Sequence, residues 1–76
     1  MRLHLGGHLS WYVEKKSWVD VQLAKPTRLS DVLKNLGVPI GEIAVGTINR
    51  VSVFSFDNVM ANDGDIIELF PPVGGG

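Results

Sequence analysis

The last nine residues, Glu68 to Gly76, read ELFPPVGGG. Three consecutive glycines cannot fill a core, because they carry no side chain and lose more backbone entropy on ordering than any other residue. Either this end frays, as termini commonly do, or the carboxylate of Gly76 is itself the working group. The prolines before it favour the second reading. Pro71 and Pro72 stiffen the exit from the last strand into extended geometry. At about 3.3–3.6 Å per residue, the stretch from Pro71 to Gly76 spans roughly 20 Å. Gly74, Gly75 and Gly76 would thread a narrow channel without a side chain to clash. Phe70, Pro71, Pro72 and Val73 sit at the root of that tail, where Phe70 and Val73 would anchor a partner.

Other residues with chemical potential make weaker patterns. His4 and His8 could form a metal pair on a strand face, but they have no evident third ligand and read as solvent-facing strand residues. Asp57, Asp63, Asp65 and Glu68 could form a cation site, although Asp63 and Asp65 flank Gly64 and read as turn residues. Trp11 and Trp18 could stack on a ligand, but basic residues do not cluster with them, so packing in a core or interface is the simpler use. Phe54 and Phe56 either cover the sheet or meet a partner. Cysteine is absent, and no Ser-His-Asp set has catalytic spacing, so the chain reads as a substrate rather than a catalyst. No bound cofactor and no metal are expected.

Seventy-six residues make one domain, and a chain of this size buries only about 60% of its unfolded surface. Without disulfides, its 45% apolar content must form a single core. Seven basic side chains against eight acidic ones give no electrostatic footprint for nucleic acid or an anionic membrane. No apolar run approaches the roughly 20 residues of a membrane span, and MRLHLGG lacks a signal-peptide core. A cytoplasmic location is therefore expected.

The periodicities define the elements that must hold the tail. Met1, Leu3 and Leu5 alternate with Arg2 and His4, which predicts a half-buried strand. Gly6-Gly7 interrupts it, as a bend or as a place where another backbone comes close. Leu9, Trp11 and Val13 resume the alternation, and Glu14 to Ser17 reads as a turn. Val19, Val21 and Leu23 form a second strand, paired with the first as an antiparallel hairpin. Leu29, Val32, Leu33 and Leu36 then change the period to that of a helix, with Thr27 or Ser30 as cap and Gly37 closing it. Glu42 to Thr47 reads as the next strand, Asn49-Arg50 as a turn and Val51 to Phe56 as a further strand. The NDGD turn at Asn62 to Asp65 leads into the final strand, which ends at Phe70. That strand is the most continuous apolar run and is expected at the centre of the sheet. The order is β-β-α-β-β-β, or β-β-α-β-β if the Val51 segment pairs poorly.

This order, with MRLHLGGHL, LSDVLKNLGVP, EIAV and above all DGDIIELFPPVGGG, resembles the ubiquitin-like β-grasp sulfur carriers. That family includes the small subunit of molybdopterin synthase and the thiamine-pathway sulfur carrier. The likeness covers nearly the whole chain, and Pro71-Pro72-Val73 is closer to the molybdopterin branch. One departure is the spacing of Gly46 and Asn49, where the family often has an Asn-Gly turn. The resemblance implies an α+β fold, a mixed four- to five-stranded sheet with one helix on one face, over residues 1–70. A flexible tail over residues 71–76 would complete the chain. It implies that an E1-like adenylating enzyme uses ATP to activate the carboxylate of Gly76. A sulfur donor would then convert it to a thiocarboxylate, delivered to a larger synthase subunit. The alternatives are thiamine thiazole synthesis, a protein modifier joined through Gly76 to a lysine, and a passive interaction module.

Overall fold

The computed structural model describes residues 1–72. Val73, Gly74, Gly75 and Gly76, and with them most of the expected tail, lie outside the described residues. The main sheet has five strands: β1 (Arg2–Leu5), β2 (Trp18–Asp20), β4 (Val45–Ile48), β5 (Val51–Val53) and β7 (Ile66–Phe70). Their spatial order is β2-β1-β7-β4-β5. β1 and β7 run parallel, and the other neighbours are antiparallel, so the sheet is mixed. β3 (Thr27–Arg28) and β6 (Met60–Ala61) pair separately. α1 (Leu29–Leu36) is the one α-helix among the described residues. This α+β arrangement is compatible with the β-grasp fold.

The expected central position of the last strand is observed, and burial explains it. Ile67 and Leu69 of β7 are fully buried, together with Leu3 and Leu5 of β1. Leu29, Val32 and Leu33 of α1 pack into the same cluster. The helix thus covers one face of the sheet. Arg2, His4, Glu68 and Phe70 alternate onto the other face, as a period of two requires.

The helix begins without a side-chain cap, contrary to the expectation for Thr27 or Ser30. The Thr27 hydroxyl donates instead to the Lys25 carbonyl at 3.0 Å. Backbone carbonyls do the capping: Leu29 N–H donates to Val59 O at 2.8 Å and Ser30 N–H to Phe56 O at 3.0 Å. The β3–β6 pair holds those carbonyls in place. At the other end Gly37 closes the helix in the left-handed conformation, its N–H directed to Leu33 O and Lys34 O.

Four strand expectations are corrected. The second strand, expected to continue through Val21 and Leu23, ends at Asp20, with one further bond from Val21 N–H to Met1 O at 2.9 Å. Leu9, Trp11 and Val13 lie in a 3₁₀ helix, Gly7–Val13, rather than in a continuation of β1. Pairing with β2 extends only as far as His4 opposite Trp18, plus Leu5 N–H to Ser17 O at 2.8 Å, and the chain then turns away. Leu9 still reaches the core, because its N–H bonds Gly6 O and folds it inward. Glu42 belongs to a second 3₁₀ turn, Ile40–Glu42, and the strand starts at Val45. The amides of Glu42 and Ile43 donate to Pro39 O and Ile40 O, so they are spent locally. β5 ends at Val53, and the chain bends at Phe54. The bend separates two aromatic fates. Phe56 packs against the core over Gly46, where an added Cβ would lie 2.7 Å from its ring, whereas Phe54 is 97% exposed.

Leu33 is fully buried at the centre of the helix stripe. Leu33→Ala should lower the unfolding free energy by about 2–5 kcal/mol. Urea denaturation checks this, and a loss well under 1 kcal/mol would show that the helix is not seated on the sheet.

Candidate functional site

The sheet delivers the end of β7 to the surface and then stops. Leu69 O accepts the Gly6 N–H at 2.8 Å on one side, and Phe70 O accepts the Ala44 N–H at 2.9 Å on the other. Pro71 and Pro72 have no N–H to donate, so the ladder cannot continue through them. Phe70 is therefore the last residue tied into the sheet. The predicted root of the tail is where the hydrogen bonding ends.

Gly6-Gly7 shapes that exit, and it is both a bend and a place of close approach. A Cβ at Gly6 would lie 2.8 Å from Phe70 Cδ1 and 3.1 Å from Leu69 O. A Cβ at Gly7 would lie 2.8 Å from Pro71 Cγ, and Gly7 has φ +52°. The two glycines thus form a floor under Phe70 and Pro71. The Phe70 ring is also 5.6 Å from the His4 ring and remains 37% exposed. Pro71 is half-buried and Pro72 exposed. Phe70, Pro71 and Pro72 are therefore together at the end of the central strand. Val73, Gly74, Gly75 and Gly76 fall outside the described residues.

A polar cluster beside Pro72 has no counterpart in the sequence motifs. His8, Gly41, Glu42 and Pro72 line an open hollow. Glu42 Oε1 lies 2.6 Å from His8 Nε2, and Glu42 Oε2 accepts the Tyr12 hydroxyl at 2.6 Å. The Tyr12 hydrogen bond, with that of His8, holds the Glu42 carboxyl below the usual carboxylate range. The same bond to Glu42 raises the Tyr12 phenol. Tyr12 and His8 belong to one 3₁₀ helix and Glu42 to the other, so the cluster joins two connections that flank the exit. No spacing signals a contact across 34 residues between helices that the sequence reads as strands.

The remaining chemical residues separate. The His4 ring lies tilted against Trp18 at 4.8 Å and Phe70 at 5.6 Å, while His8 engages Glu42, so the two histidines have different surroundings. Asp63 and Asp65 serve the turn. Asp65 Oδ2 accepts the Asn62 N–H at 2.8 Å and Oδ1 accepts the Asn49 amide at 3.0 Å, which lowers its pKa. Asp63 Oδ1 accepts the Leu23 N–H at 3.3 Å. Among the described residues no three His, Asp or Glu side chains gather as a metal site. Trp11 is exposed with the Lys15 ammonium 5.8 Å from its ring, and Trp18 carries Arg2 at 4.9 Å. Neither tryptophan is core. No helix among the described residues is long and apolar enough to cross a membrane. No protein-family model matches the chain, and no curated protein matches it.

This geometry has two measurable consequences. Gly7→Ala should lose about 1–2 kcal/mol from the left-handed backbone alone, and should shift the NMR signals of Pro71 and Phe70. Unchanged signals would mean that the glycine floor does not set the exit. The second consequence concerns pH. Glu42 has a depressed pKa in the fold, so the unfolded chain binds more protons in acid. Its contribution is complete above the ordinary carboxylate range and is lost as pH falls through the folded value. Glu42→Gln should therefore flatten the acid side of the stability profile; an unaltered slope would contradict the network.

Proposed function

We propose that this protein is a sulfur carrier whose reactive group is the carboxylate of Gly76. The observation that carries the reading is the end of β7. A central strand is hydrogen-bonded on both sides up to Phe70, and two prolines then lead the chain out. Such a root fixes the origin and heading of a tail without consuming the tail in the fold. The glycines beyond it suit passage into an active site on another protein.

The chemistry is that of acyl activation. A carboxylate oxygen of Gly76 attacks the α-phosphorus of ATP on an adenylating enzyme, and pyrophosphate leaves. A nucleophile at the oxidation level of sulfide adds to the acyl carbon, AMP departs, and a thiocarboxylate remains. A larger synthase subunit then takes the sulfur into a cofactor precursor of the molybdopterin type. The body of the protein contributes no catalytic group to these steps. Its part is to present the tail and to dock through Phe70, Pro71, Pro72 and Val73. A cytoplasmic setting, where ATP and sulfur donors are at hand, accords with this role.

Intact-mass spectrometry after incubation with an adenylating enzyme, ATP and a sulfide source tests the reading. The expected product gains the difference between sulfur and oxygen at one position, and the chain lacking Gly76 gains nothing. Adducts to lysines of other proteins would replace the carrier reading with that of a modifier. An unchanged mass with every adenylating enzyme from the same cells would remove both.

A further inference from the structure

The main sheet ends in β2 on one side and β5 on the other, and the two edges differ. β2 is guarded by charge. Asp20 lies in it and meets Arg2 at 3.6 Å, and Lys15 and Lys16 stand just before it. Charged side chains on an edge discourage pairing with another chain. β5 has no such guard. From Val51 to Phe56 the sequence is VSVFSF, without a charge, a proline or a glycine. Val51 is 69% exposed and Phe54 97%, so the apolar side chains of this edge are among the least covered of the described residues. An uncharged edge of β-branched and aromatic residues is a template for a further strand.

The ladder on the inner side of β5 fixes what the strand offers on its outer side. Asn49 N–H donates to Ile66 O at 2.7 Å, so odd-numbered residues here bond β7 and even-numbered ones bond β5. Ile48 and Gly46 are thus the residues bonded to Val51 and Val53. Ser52, opposite Thr47 in the same register, directs its N–H and C=O away from the sheet and is exposed. Directly opposed residues share a face. Val51 is opposite Ile48, and Ile48 is opposite the core residue Ile67, so Val51 and Val53 lie on the α1 side of the sheet. The turn before β5 holds this register. Asn49 and Arg50 both have positive φ, as a two-residue hairpin turn requires.

We propose that β5 pairs antiparallel with β5 of a second copy of this chain, about a two-fold axis at Ser52, and joins the two five-stranded sheets into one. The occupant follows from self-complementarity. Such an axis sets Ser52 against itself, so each Ser52 N–H donates to the Ser52 carbonyl of the other copy. The same register sets Val51 of each copy opposite Val53 of the other, two close β-branched pairs on one face. It also brings Arg50 of each copy to Phe54 of the other. Arg50 forms no ion pair among the described residues, and a guanidinium over an aromatic ring is a favourable contact. Two copies carry the same net charge, and an edge uncharged along its length lets them meet without direct repulsion. A strand of three residues gives a small contact, so the dimer is weak and depends on concentration. β4 separates this edge from β7, so the pairing leaves Phe70 and the exit at Pro71 out of the contact.

Sedimentation velocity of the intact chain over a dilution series tests the proposal. The mean mass should rise from one chain toward two with concentration. Ser52→Lys sets two ammonium groups face to face and should weaken association by about tenfold or more, and Ser52→Glu should do the same with two carboxylates. Mixed in equal amounts, the two variants should associate again, a rescue that a merely misfolded variant would not give. Trp11→Ser, on the exposed side of the 3₁₀ helix Gly7–Val13, should leave association unchanged. A second measurement needs no variant: in a mixture of isotope-labelled and unlabelled chains, isotope-filtered NMR should show contacts between the methyls of Val51 and Val53 of different copies. A chain that stays single at every concentration, a dimer that survives Ser52→Lys, or a dimer without the Val51–Val53 contacts would overturn the proposal. These readouts involve neither the tail nor sulfur chemistry, so this proposal and the carrier reading fail separately.

Discussion

Everything in this small protein is arranged around the hydrogen bonding of one strand. β7 is the last strand among the described residues and the middle of the sheet, with a parallel neighbour on one side and an antiparallel neighbour on the other. Its inward side chains, Ile67 and Leu69, are the floor of the core on which α1 rests. A strand so placed is among the least free to move, because its release would open both halves of the sheet. The change at Pro71 is therefore abrupt. One residue is paired on both flanks, and the next cannot donate a hydrogen bond at all. The doubly paired strand and the residues that cannot extend its ladder are thus adjacent in sequence.

The surroundings of that junction arise from the same constraint. Because Phe70 and Pro71 lie over β1, the chain beneath them must lack side chains, and Gly6-Gly7 meets that need. Because Gly7 turns the chain out of β1, the next segment becomes a 3₁₀ helix. Its polar side chains, His8 and Tyr12, then face Glu42 on the second 3₁₀ turn. The cluster beside Pro72 is thus a consequence of how the exit is built. It joins the two 3₁₀ segments to each other.

The sequence revealed the parts whose signal is local. The stripe Leu29, Val32, Leu33 and Leu36, closed by Gly37, is a period that only a helix satisfies, and it matches α1. The alternation at Leu3 and Leu5, and again at Ile67 and Leu69, marks strands whose inner residues are fully buried. The Asn49-Arg50 and Asp63-Gly64 turns were likewise readable. What was lost was set by tertiary contacts. Leu9, Trp11 and Val13 alternate as a strand would, but the β1–β2 ladder ends at His4 and the chain enters a 3₁₀ helix. The helix start looks like a site for a Thr or Ser cap, but distant carbonyls of Phe56 and Val59 occupy the amides. The end of the final strand at Phe70 was legible because the prolines after it cannot donate to a ladder. The His8–Glu42–Tyr12 cluster was not, because it exists only once two loops meet.

A fold held together by β7 as far as Phe70 should form in a chain that ends at Pro72. Amide hydrogen exchange on a chain ending at Pro72 tests it most directly, read at Gly6 and Ala44, whose N–H groups bond the last two carbonyls of β7. Protection at both amides, and a melting temperature, equal to those of the full chain are expected. Faster exchange at Gly6 and Ala44 with a lowered melting temperature would show that the final four residues are part of the structure, and would contradict it.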